Sequence, residues 1–187
     1  MDIDERRGVK IAIGLISASF AVVAFSSADV NLDYIAALKF GSPITLYGVT
    51  LLLYERWLWR PARRIGISQV PDFSGTWRGA GRSSHAATEF DAEIEIAQTW
   101  SKISIVGRFG RSESQSSGFA FIRSRGMEAV LIHTYLNRPM EAGEGLHIHE
   151  GTAELTLRKD GSMNGTYYTG RDRATHGTFT LTRVSNP

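Results

Sequence analysis

The spacing of apolar and polar positions changes character once along the chain, near residue 70. Before that point apolar residues come in long unbroken runs. Between Lys10 and Asp29 lies IAIGLISASFAVVAFSSA, free of ionisable side chains and long enough to cross most of a bilayer as a helix. A second run, FGSPITLYGVTLLLY, lies between Lys39 and Glu55. It is short for a full span, and tilt or the interfacial aromatics Tyr54, Trp57 and Trp59 would extend it at modest cost.

After residue 70 apolar and polar residues alternate over short stretches. EFDAEIEIA places Phe90, Ala92, Ile94 and Ile96 on one face and Glu89, Asp91, Glu93 and Glu95 on the other, the period of a half-buried strand. KISIVGRFG, SGFAFIRS, EAVLIHTYL, LHIHEGTAELTLR, MNGTYYTG and HGTFTLTRV follow, separated by short turns such as KDGS. With SGTWRGAG at the front, the pattern predicts an all-β soluble domain: about eight strands in an antiparallel, lipocalin-like meander that closes into a barrel. A β-sandwich is the main alternative. RPMEAGEG, residues 138–145, is the longest loop. The predicted division is a two-span transmembrane hairpin over 1–66 and a β-barrel over 67–187.

Charge refines this picture. The net charge is only +2, and from Ser68 onward Lys and Arg number 13 against 13 Asp and Glu. A balanced domain is a poor match to a DNA- or RNA-coating surface, which needs clustered cations. The basic residues gather around the apolar runs instead. Arg6, Arg7 and Lys10 precede the first, and Arg56, Arg60, Arg63 and Arg64 follow the second, while the connection carries Asp29 and Asp33. The positive-inside rule then puts both termini, and the barrel, on the cytoplasmic side. Two other readings stay open: the first run as a signal peptide with SSA before Asp29 as its cleavage site, or either run as a buried core helix. Gly14 with Ala18, Ser17 with Ala21 and Ala24 with Ala28 repeat at four-residue spacing, which permits close helix approach in lipid. There is no cysteine, hence no disulfide framework and no thiol chemistry.

In a meander, alternate turns lie at opposite ends, so side chains can be sorted by depth. Trp77, Arg123, Leu157 and Arg183 fall towards the end where the first strand begins, and Trp77 with Arg183 forms a candidate cation–π plug. Tyr135, His147, His149, Thr169, Arg171 and His176 collect at the far mouth. Gly151, Ala153 and Leu155, then Met163, Gly165 and Tyr167, then Phe179 and Leu181 form inward rows, while the fifth strand is apolar on both parities. Tyr167, Thr169 and Arg171 alternate on one face from interior to mouth, and with His149 and Tyr135 they are the candidate ligand-binding residues: tyrosine to stack a base, arginine to pair a phosphate. The bland alternative is a core tyrosine and a rim arginine in solvent.

Catalytic residues are not expected. The serines lie in turn-like segments, no nucleophile elbow occurs, and the row from Glu89 to Glu95 reads as a solvated face. His147 and His149 would offer two metal ligands but lack a clear third, so no metal site and no cofactor are expected.

The two apolar runs at 11–28 and 40–54, the VPDFSGTWRG entry to the first strand, and the late GTYYTGR and GTFTLTR strands together resemble the minimal membrane effectors of CBASS antiphage systems. The resemblance covers the whole chain in architecture. It implies a barrel that receives a cyclic dinucleotide made by a CD-NTase, ligand-driven self-association through the transmembrane segments, and disruption of the bacterial inner membrane, with no DNA or RNA partner. A Gly-x-Trp strand alone also resembles lipocalins, so a membrane-tethered carrier or sensor of an apolar ligand is the competing expectation, and a small anchored enzyme a third.

Overall fold

The computed structural model describes residues 3–26, 43–85, 88–110, 112–125, 128–140, 147–170 and 174–185. The chain divides into two compact units, 1–70 with 99–101, and 71–98 with 102–187.

In the first unit, α1 runs from Ile3 to Ser26. α2 runs from Pro43 to Leu53, continues through a π-helical turn at Tyr54–Leu58, and ends as α3 at Trp59–Arg64. The helix therefore outlasts the apolar run that predicted it. Pro61 lacks an N–H and its ring clashes with a regular helical ladder, a physical reason for the widened turn just upstream. α1 packs through Ile13 and Ser17, one turn apart and buried, with the Tyr47 ring 3.8 Å from where a Cβ at Gly14 would lie. Ile11, Leu15 and Ile16 of α1 and Ile44, Val49 and Leu52 of α2 stay exposed. Among the described residues no helix is long and apolar enough to cross a membrane. The expected connection between the two runs lies outside the described residues.

Thr99–Ser101 belongs to this helical unit although it is a turn between two strands. Glu55 holds it: the carboxylate accepts from Thr99 Oγ1, Ser101 N and Ser101 Oγ, and the Glu55 carbonyl accepts from Trp100 N at 3.0 Å. Tyr54 meets Trp100 edge-on at 5.1 Å.

The second unit is a closed antiparallel barrel with its eight strands in sequence order. They are β1 (Gly75–Ser83), β2 (Glu89–Gln98), β3 (Ile103–Phe109), β4 (Ser112–Arg125), β5 (Glu128–Pro139), β6 (His149–Leu157), β7 (Met163–Thr169) and β8 (His176–Ser185). β8 closes on β1, with Trp77 opposite Arg183 and Gly79 opposite Leu181. Closure settles the architecture as a barrel rather than a sandwich.

Inward rows follow the expected alternation: Ala92, Ile94 and Ile96 are buried, as are Ala153 and Leu155, Met163, Phe179 and Leu181. On the outer face Glu93 sits between two arginines, with Arg78 Nε at 2.6 Å and Arg108 Nη1 at 3.2 Å. The Arg78 hydrogen bond holds the Glu93 carboxyl below its usual range, as suits a solvated face. At the end where β1 begins, Trp77 is fully buried and donates its indole N–H to Phe73 O, and the Arg183 guanidinium lies 4.5 Å from its ring. Gln98 anchors the approach to β1, accepting from Phe73 N and donating to Pro71 O.

The sequence pattern starts the fourth strand at Ser117, whereas β4 begins at Ser112. SESQSS has turn composition, yet alternate serines fit a strand whose inner face is polar.

Candidate functional site

The opposite end of the barrel holds a cavity of about 260 Å³. Its floor is aromatic. Phe90 of β2, Phe109 of β3, Tyr167 of β7 and Phe179 of β8 touch in a ring of contacts, with centroids 5.9–6.5 Å apart, and Tyr167 stacks on Phe179 at 22°. Glycines make room for them. A Cβ at Gly165 would lie 2.0 Å from the Phe179 ring, so only Gly lets this ring lie flat against β7.

One wall of the cavity is polar and comes from β4 and β5. β5 turns His133, Tyr135 and Asn137 inward, which resolves the strand whose two faces looked alike in sequence. Asn137 Nδ2 donates to Ser114 Oγ at 2.8 Å and Ser112 Oγ at 3.2 Å, so the serine-rich start of β4 is part of the site wall rather than a turn. The His133 Nδ1 lies 3.3 Å from the Thr134 carbonyl oxygen. Burial pushes the His133 imidazole below its usual pKa, the carbonyl contact opposing in part. Tyr135 contacts both neighbouring imidazoles, His133 at 6.3 Å and His149 at 6.5 Å. No Asp, Glu, Lys or Arg is among the described residues that line the cavity.

Of the five residues singled out from sequence, Tyr167, Thr169, His149 and Tyr135 line this one cavity. Arg171 lies outside the described residues. Thr169 is engaged locally: its Oγ1 accepts from Thr175 N at 2.8 Å and lies 3.0 Å from the Thr175 hydroxyl, fastening the turn into β8. His149 Nδ1 donates to the His147 carbonyl at 3.0 Å, and among the described residues no group of three potential ligands is suited to hold a metal ion. Phe90 and Phe179 were legible as inward residues. The sequence leaves His133 on one of two equally apolar rows of the fifth strand, and it does not mark Phe109, Ser114 or Asn137; strand register, which sets each residue at the depth of Tyr167, brings them together.

What the arrangement can do chemically is bind. Aromatic rings at the floor offer a surface for a flat heterocycle, hydroxyls and amides on the wall offer hydrogen bonds, and among the described lining residues no carboxylate would repel an anion. Residues 68–183, the barrel up to the last residues of β8 together with its approach, match the family model described as the Cap15 cyclic dinucleotide receptor domain. Over 150 residues the chain is 32% identical to the CD-NTase-associated protein 15 of Yersinia aleksiciae, an alignment covering 78% of this chain and 72% of that protein.

Proposed function

The chain belongs to the family of the Cap15 cyclic dinucleotide receptor domain, and from that premise we propose that it is a CBASS effector: a receptor, not an enzyme, whose barrel binds a cyclic dinucleotide and whose helical segment carries the signal to a membrane. The observation that carries this reading is the cavity itself, a closed-barrel pocket with an aromatic floor, a polar wall and no carboxylate among its described lining residues. A base stacks on the floor beside Tyr167, while His149, Tyr135 and Thr169 contact the ligand nearer the mouth. Arg171 pairs with a phosphate, the bidentate chemistry that guanidinium favours.

The membrane part of the proposal rests on the helical unit. The uncharged stretch of the first apolar run begins after Lys10, and the exposed side chains of Ile11, Leu15, Ile16 and Ile44 present an apolar flank that water does not favour. Two spans at 11–28 and 40–54 would place both termini in the cytoplasm of a bacterium. Ligand must then bind the assembled state better than the resting one, so that occupancy drives the helices together and breaches the inner membrane.

Calorimetric titration of the purified full chain in detergent micelles with a panel of cyclic dinucleotides tests the receptor reading. Binding by at least one is expected, and Arg171→Ala should abolish it with the melting temperature unchanged. No binding across the panel would sink the proposal, and co-purified lipid found by mass spectrometry would move the assignment to an apolar carrier.

A further inference from the structure

Resting on the receptor reading above, we infer that His133 is the residue that reads the inserted nucleobase, presenting Nε2 as a hydrogen-bond acceptor to an N–H of the base edge. His133 is 5% exposed and sits on the inward row of β5 among the cavity walls. The atom facing its Nδ1 is a backbone carbonyl oxygen, which only accepts, so the hydrogen of the neutral ring resides on Nδ1. The remaining nitrogen is then a bare lone pair. A lone pair repels a phosphate oxygen and complements an N–H donor, so this position suits the base and leaves the phosphates nearer the mouth.

The surroundings keep the ring in that form. Tyr135 is its neighbour on β5, Ala120 of β4 and Ala153 of β6 flank it in register, and the other titratable groups lining the cavity are Tyr167, His149, His147 and His85. Among the described lining residues β1, β2, β3, β4 and β8 contribute no titratable group, and none carries a charged side chain. Among the described residues no carboxylate offsets desolvation, which favours the neutral imidazole. The apolar cavity also makes an unmet acceptor costly, which converts a single hydrogen bond into selectivity between ligands.

The test measures dissociation constants of the full chain in detergent micelles for cyclic di-AMP, cyclic di-GMP and cyclic UMP–AMP, at pH 7.5 and 5.5, for wild type, His133→Gln and His133→Leu. His133→Gln restores an acceptor oxygen and should bind the preferred ligand within about threefold of wild type, whereas His133→Leu should bind it about tenfold more weakly, the loss of one buried hydrogen bond. Wild-type affinity should fall on acidification, as protonation removes the lone pair, and fall less in His133→Gln. Leucine binding as well as wild type, or glutamine binding as poorly as leucine, overturns the assignment. If the leucine variant fails to fold by circular dichroism, the pH arm decides: affinity that rises on acidification, or falls equally in wild type and His133→Gln, overturns it too. Failure of wild type to bind any of the three removes the receptor reading and this assignment together.

Discussion

Trp77 combines three roles that a smaller side chain separates: it fills the end of the barrel, donates its indole N–H to Phe73 O, and underlies the Arg183 guanidinium. Trp77→Ala should cost about 3–5 kcal/mol in urea unfolding, a large share of a domain's usual ~5–15 kcal/mol. Arg183→Met keeps the apolar packing but loses both the contact with the indole ring and the hydrogen bond to Asp72 O, and should cost about 1–3 kcal/mol. His133 gives a pH signature. Its pKa in the fold is depressed below the unfolded value near 6.5, so the unfolded chain binds the extra proton first as pH falls. The stability it contributes is complete above about pH 6.5 and is lost as pH drops towards the folded pKa. Melting temperatures between pH 7.5 and 5.5 should therefore decline less in His133→Gln than in wild type. Tyr167 was legible because β7 alternates cleanly. His133 was not, because Val130 to Leu136 is apolar on both parities and sequence alone assigns neither face to the interior.

At the scale of elements, turn composition and chain depth predicted the strands well and the helices less well. Hydropathy marked the end of the second apolar run at Tyr54, but the helix continues to Arg64, since Glu, Arg and Ala sustain a helix that lipid no longer favours. Hydropathy records where greasy surface stops, not where backbone hydrogen bonding stops. The serine-rich start of β4 failed for the complementary reason: local turn preference was overridden by pairing with β3 and β5. The grip of Glu55 on Thr99–Ser101 joins residues more than forty positions apart, which no local pattern reports. Glu55→Ala leaves two hydroxyls and the Ser101 N–H without their acceptor and should destabilise the turn by about 1–3 kcal/mol. Faster amide exchange at Ser101, with the barrel core still protected, is the expected readout; unchanged exchange would show that water replaces the carboxylate without loss.

For the whole molecule, a receptor that binds only when folded gains stability from its ligand. A cyclic dinucleotide at one hundred times its dissociation constant should add about 2.7 kcal/mol, visible as a raised melting temperature. The same ligand added to the full chain in liposomes should release an entrapped dye, and a chain lacking residues 1–66 should bind without releasing it. Leakage without ligand, or none with it, would separate the barrel's role from the membrane's. Ring closure carries a further consequence for how copies meet. Each strand of the barrel pairs with a neighbour on either side, so among the described residues no strand stands at a free sheet edge along its whole length, and addition of strands from another copy is disfavoured. The seam that enforces this is narrow: a Cβ at Gly79 would sit 1.9 Å from the Thr180 carbonyl oxygen of β8. Gly79→Val should therefore pry β1 from β8, and thioflavin-positive aggregates in that variant alone would show that the closed ring is what keeps this receptor from assembling in the wrong way.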